Sequence, residues 1–415
     1  MLHAPIGEVL QLAGHPEKVK ELAEFERQLF EAELAAQQKN YPAAHKAFKE
    51  SLDSAAWCFD KKSFVMYLFT DRVARFESDF SHWNESEKAY KAALAALPEK
   101  NSDFECWIAQ RDLIVVLREQ AKWKECATWS QEHLKLTQSL IAAKELEPVE
   151  NVRALAWLAY HLDKSGQLEE AEPIWQQYLS AAGTKPDEAL NHGYWLLSIV
   201  THAAKMHHNA DADKYLTEAL KIAQDEHKDD LLADANISKA DLLTRRGDLV
   251  GAAKALHEAL ALSKTIKDDS LGSYTYYLLG EIARRRNDLT QREVLQKQAL
   301  ALTGDSGRDT NLAELVVIDA LRNQPAEAQQ NMSRLFQSDS KEDLSIAEED
   351  IDRLSLAPAS TQSKNSSAPR SITLRKGENS FGGDSLVNVS RPMFKNLIND
   401  YLRRNSHPKN VDSPH

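Results

Sequence analysis

Cysteine, glycine and proline are all scarce in this chain, and each shortage excludes a class of protein. Its 415 residues hold three cysteines, Cys58, Cys106 and Cys126, an odd number without CxxC spacing. That excludes a disulfide framework and a cysteine-based zinc site, and it points to a reducing, cytoplasmic setting. Only 14 glycines and 13 prolines interrupt the chain, as suits long helices. No run of about 18 apolar residues exists to span a membrane, and the N-terminus lacks the basic start and apolar block of a signal peptide. No phosphate loop, dinucleotide fingerprint, HExxH or GxSxG motif occurs. The net charge of -12 makes nucleic acid and anionic membrane poor partners.

What the chain does have is repetition. From Ser273 to Thr303 it reads as two short amphipathic helices joined by a polar turn, with Tyr276, Leu279-Gly280, Ala283, Asn287-Asp288-Leu289 and Ala299-Leu300 in order. Earlier stretches carry the same spacing on their second helix. Examples are Ala44, Phe48, Ser51, Leu52, then Ser86, Tyr90, Ala93, Leu94, then Ala171, Trp175, Tyr178, Leu179. Residues so spaced share one helix face. The closing leucines Leu52, Leu94, Leu134, Leu179, Leu220, Leu260 and Leu300 follow one another at intervals of 42, 40, 45, 41, 40 and 40 residues. Small residues, Ala32, Ala74, Ala159, Ala240 and Gly280, recur on the outgoing helices, where a partner backbone must come close. One such pair cannot bury both of its faces, so stability has to come from stacking.

This pattern resembles the tetratricopeptide repeat, which carries an aromatic, a Leu-Gly pair and later small-then-large residues at matching spacing. The period is similar in length to that of kinesin light chains. The resemblance implies an all-α, right-handed superhelical solenoid of about seven to eight helix–turn–helix repeats, and the polar composition beyond it adds a partly disordered C-terminal tail. Residues 1–18 form a lead-in and 19–336 the repeats, the last of them, Leu312 to Phe336, serving as a cap. Departures from the pattern fall at Arg292 and Gln296, and at Ser130 and His133, where looser packing is expected.

Residues 337–356 are expected to form an acidic capping helix, and 357–391 a disordered linker with weak strand character at Ile372–Leu374 and Leu386–Val389. Residues 392–404 form a basic amphipathic helix before a disordered terminus at 405–415. Met393, Phe394, Leu397, Ile398 and Tyr401 repeat at helical intervals and make that helix a docking element for its own chain's groove or for another copy's. From Ala357 onward nine Lys or Arg face four Asp or Glu, opposite in sign to the body.

The resemblance further implies that the outgoing helices line a concave groove that holds a protein segment. That stripe carries Arg72, Arg75, Arg111 and Arg118 early, Trp157 and Tyr160 in the fourth repeat, and Tyr194, Tyr274, Tyr277, Glu281 and Arg284 later. Arginine suits a carboxylate and aromatics supply contact area, so the expected partner is a protein or peptide, with acidic segments favoured by the arginines. The carboxylate clamp of some tetratricopeptide domains is not matched, since Leu29 and Glu33 stand at the equivalent positions. His192, His202, His207 and His208 lack ligand spacing and read as a solvated helix end. The expectation is a non-enzymatic adaptor without cofactor or metal. The alternative is a regulatory sensor that binds a small ligand or is inhibited by its own C-terminal helix.

Overall fold

The computed structural model describes residues 19–98, 102–182, 189–303, 308–337, 344–355, 375–376 and 386–405. Contacts divide the chain into two compact units, 1–184 and 185–415. The first unit stacks four helix pairs: α1 (Val19–Gln37) with α2 (Tyr41–Cys58), α3 (Phe64–Asp79) with α4 (Trp83–Ala96), α5 (Asp103–Glu119) with α6 (Trp123–Ala142), and α7 (Val149–Lys164) with α8 (Leu168–Ala182). In the second unit α9 (Ala189–Lys205) pairs with α10 (Asn209–Asp225), α11 (Asp229–Arg245) with α12 (Leu249–Ile266), α13 (Asp269–Arg285) with α14 (Leu289–Leu302), and α15 (Arg308–Leu321) with α16 (Pro325–Leu335). Among the described residues no helix is long and apolar enough to cross a membrane.

One turn closes all eight pairs. A residue with positive φ stands at Lys39, Ser81, Ala121, Gly166, His207, Gly247, Asn287 and Asn323, and the first seven follow the same intervals as the closing leucines. The amide after each reaches back five residues, as in Asn40 N to Ala35 O at 2.9 Å, Lys122 N to Leu117 O at 3.0 Å and Asp288 N to Ala283 O at 2.9 Å. This is a Schellman cap, which satisfies carbonyls that a helix end leaves open and turns the chain sharply enough for the second helix to fold back on the first. Glycine fits the left-handed position without cost, yet it occupies only Gly166 and Gly247. Ala121 carries a Cβ there, at φ 52°. Ala121→Gly is therefore expected to stabilise the first unit by about 1 kcal/mol, the strain of a left-handed L-residue less the chain entropy of glycine; a denaturation midpoint that stays put or falls would refute this. The second helix then starts on its own cap, as where Asp248 accepts from Gly251 N at 2.8 Å and Asp288 from Gln291 N at 2.9 Å.

Packing inside each pair follows the small-then-large pattern. Ala32, Ala74, Ala159 and Ala240 on first helices, and Ala44, Ala93, Ala171, Ala212, Ala252 and Ala299 on second helices, are wholly buried. Gly280 lets Gln296 come close: a Cβ there would meet Gln296 Nε2 at 2.8 Å and make that side chain shift. Bulky neighbours fill the spaces, and Tyr90, Leu113, Val116, Leu117 and Cys126 make one such cluster across two pairs.

Four expectations are corrected. The acidic segment is not one helix: Leu344–Ala347 is a strand, β1, and only α17 (Glu348–Ser355) is helical. β1 pairs antiparallel with β3 (Leu386–Val389), which also pairs with β2 (Arg375–Lys376), giving the order β1-β3-β2. Alternation in Leu344-Ser345-Ile346 places Leu344 and Ile346 in the core, so period two wins over the helical reading. Second, the departures from the repeat pattern at Arg292, Gln296 and Ser130 are not openings to solvent, since all three side chains are buried. Third, His202 is buried and His192 half-buried, while His207 and His208 lie exposed at the turn. Fourth, Glu281 and Arg284 lie inside the protein and not on an open groove. Residues 1–18, 356–374 and 406–415, including Ile372–Leu374, lie outside the described residues.

The C-terminal helix α18 (Arg391–Asn405) joins a core with the eighth pair. Its Phe394, Ile398 and Leu402 are buried against Leu312, Val316, Val317, Ala320, Met332 and Leu335, with Met393, Leu397 and Tyr401 half-buried at the edge. Arg391 fixes the start of this helix by donating to Leu335 O at 2.8 Å and pairing with Asp309.

Candidate functional site: the faces of the first helices

In the first unit every large apolar side chain exposed among the described residues lies on a first helix: Phe30 and Leu34 on α1, Phe64 on α3, Phe104 and Val115 on α5, and Trp157 on α7. Spacing explains the alignment. Phe104, Arg111, Val115 and Arg118 step by seven, four and three residues, and Phe64, Arg72 and Arg75 by eight and three, so each set keeps to one face. The second helices of this unit carry no such residue among those described.

The arginines reach this face already paired. Arg72 meets Glu33 at 2.5 Å, Arg75 meets Asp71 at 2.9 Å and Asp112 at 3.2 Å, and Arg111 meets Asp112 at 2.9 Å. Asp112 thus ties neighbouring repeats together. Arg118 lies near Glu119 at 3.5 Å and places its guanidinium 4.9 Å from the ring centre of Trp157, and Arg111 covers Trp107 at 5.6 Å. A cation over an indole face is attracted by the ring quadrupole. Trp157 meets Tyr160 edge to face at 5.9 Å and lies along His161 at 5.6 Å. Burial, with Arg118 nearby, lowers His161 to about 3, and burial, with Arg111 nearby, lowers His133 to about 4. Both imidazoles are neutral in use: His161 Nδ1 lies 2.8 Å from Ser130 Oγ, and His133 stacks on Trp107.

The second unit presents a different face. Tyr194 donates to Asp230 at 2.9 Å. Asp234 is pushed up to about 6 by burial and by the charges of Asp230 and Asp268. Tyr274 is half exposed and stacks on Tyr277 at 6.5 Å. Glu281 and Arg284 pair with each other at 3.1 Å below the surface. Behind them Arg292 pairs with Glu314 of α15 and, at 2.7 Å, with Asp350 of α17, all three buried. Burial, with Glu281 and Asp350 adding to it against Arg292, holds the Glu314 carboxyl above its usual range.

The structure brings Arg72, Arg75, Arg111, Arg118, Trp157 and Tyr160 to one unit and Tyr194, Tyr274 and Tyr277 to the other. Phe64, Phe104, Val115 and Asp350 were not singled out from the sequence. The first three were findable, because the heptad-like steps that select the arginines select them too. Among the described residues no group of three His, Cys, Asp or Glu is placed to hold a metal ion.

The model of the family described as anaphase-promoting complex subunit 5 matches residues 31–120 and 149–246, under half of the chain. None of the curated proteins compared with the chain matches it. Similar solved structures include the apo form of RapI, at 11% identity and TM-score 0.49 over 67% of this chain and 97% of that one. Aspartyl phosphate phosphatase F from Bacillus subtilis matches at 12% and 0.46 over 71% and 73%, and a tetratricopeptide repeat protein from Parabacteroides merdae at 13% and 0.46 over 66% and 93%. None of these likenesses carries a function across. The helix pairs, their common period and their shared turn make this chain a tetratricopeptide-like helical-repeat protein.

Proposed function

We propose that the chain is a non-enzymatic protein-binding scaffold, and that the first-helix face of its first unit receives a protein segment. The observation that carries this is the confinement of exposed Phe64, Phe104, Val115 and Trp157 to first helices, in line with Arg72, Arg75, Arg111 and Arg118. Aligned apolar side chains left open to water are costly, and burying them against a partner recovers about 25 cal/mol per Å². Because the arginines already hold carboxylates, apolar anchors supply the affinity and the arginines set orientation, exchanging an internal carboxylate for one on the partner where it has one. An acidic partner is therefore secondary to an apolar one. The C-terminal helix spends Phe394 and Ile398 on the eighth pair, which argues against that helix as the segment received.

The test uses peptides selected from a random display library on the full-length chain. Phe104→Ala and Trp157→Ala should each weaken the selected peptide about tenfold or more, as truncating a central aromatic anchor does, whereas Val250→Ala, exposed on a second helix of the other unit, should not. Equal affinity for all four proteins would end this reading.

A further inference from the structure

We propose that the cleft around Arg292 is a binding site for the carboxylate of an acidic amphipathic helix, and that α17 fills it through Asp350 as an internal ligand. Arg292 stands where the repeat pattern has a small residue, and no part of it reaches solvent. A guanidinium has five N–H donors in a planar fork suited to two carboxylate oxygens at once. Here a single nitrogen, Nη2, serves both Glu314 and Asp350. Nε and Nη1 have no acceptor, Oδ1 of Asp350 has no donor, and both amide atoms of buried Gln296 are without a partner. The site thus has more hydrogen-bonding capacity than its occupant uses. A carboxylate that reached Nη1, or that also met the Gln296 amide, would make bonds that Asp350 does not.

The occupant also states what the site selects. Asp350 is followed by Ile351 and Leu354, both buried, while Asp352 and Ser355 face solvent. A ligand helix therefore needs a carboxylate with large apolar residues one and four positions later. At eight residues α17 is too short to hold helix alone, so its form depends on docking. Such an element is replaceable: a partner helix with the same three anchors competes for the same cleft.

The probe is a fluorescein-labelled peptide of residues 344–355, followed by anisotropy against the full-length protein. Asp350→Asn keeps the shape of the internal ligand but removes its charge, and should raise affinity for the peptide at least tenfold over wild type. Leu354→Ala, which leaves the cleft intact and weakens the internal ligand at its other end, should act in the same direction. A peptide carrying Asn in place of its Asp should not bind either variant. If both variants keep their helical circular dichroism yet fail to bind the peptide, or bind the Asn peptide equally well, the proposal is overturned.

Discussion

Arg292→Met is expected to lower the stability of the second unit by about 3–5 kcal/mol, because it leaves two carboxylates buried without their cation. Glu314 and Asp350 are almost wholly enclosed, and both lean on this one guanidinium. Arginine itself contributes little net stability there, since burying three charges offsets most of what their attraction gains. The way to show this is the triple change Arg292→Met, Glu314→Leu, Asp350→Leu, which should recover most of the loss and could exceed wild type. Denaturant unfolding followed with a probe in each unit is the right measurement, because a chain of two compact units need not unfold in one step. A single substitution that costs under 1 kcal/mol would mean that water reaches the carboxylates.

Trp175→Ala should cost the first unit about 3–5 kcal/mol, the usual range for removing a large enclosed aromatic. Its indole is 1% exposed, meets Tyr178 edge to face at 5.9 Å, and donates to Asp163 at 2.8 Å. Two effects add: a cavity between α7 and α8, and an acceptor deprived of this donor. Trp175→Phe separates them, keeping most of the volume and giving up the hydrogen bond, and should cost about 1–3 kcal/mol. In a stack held by nearest-neighbour contacts, the loss should appear in hydrogen exchange of α5 to α8 before it reaches more distant pairs. Uniform loosening of the whole unit would contradict that.

The repeats were legible because their signals are local. A small residue, a bulky one a turn later and a polar turn recur within about 40 residues, and the structure places a left-handed turn at the same intervals as the closing leucines. Pairing of the arginines was half legible. Arg72 with Glu33, and Arg75 with Asp112, are partners about one period apart, so the period already implied that they face each other across neighbouring repeats. Glu281 and Arg284 were misplaced on the surface because the spacing of residues on their own helix does not show what neighbouring elements bury. The same limit hid β1, whose partner strand lies about 40 residues further on, although the alternation of Leu344 and Ile346 was there to be weighed. The apolar stripe was overlooked for a different reason. Phe64, Phe104 and Val115 look like core residues until the neighbouring pair is seen to leave them uncovered.

Photocrosslinking tests the functional claim most directly. A benzophenone side chain is placed at position 104, at 157, or at the second-helix position Glu132, exposed on α6, and the full-length protein is irradiated with a peptide selected for binding to wild type. The first-helix account predicts adducts at 104 and 157 and none at 132. Adducts at 132, with 104 and 157 silent, would contradict it.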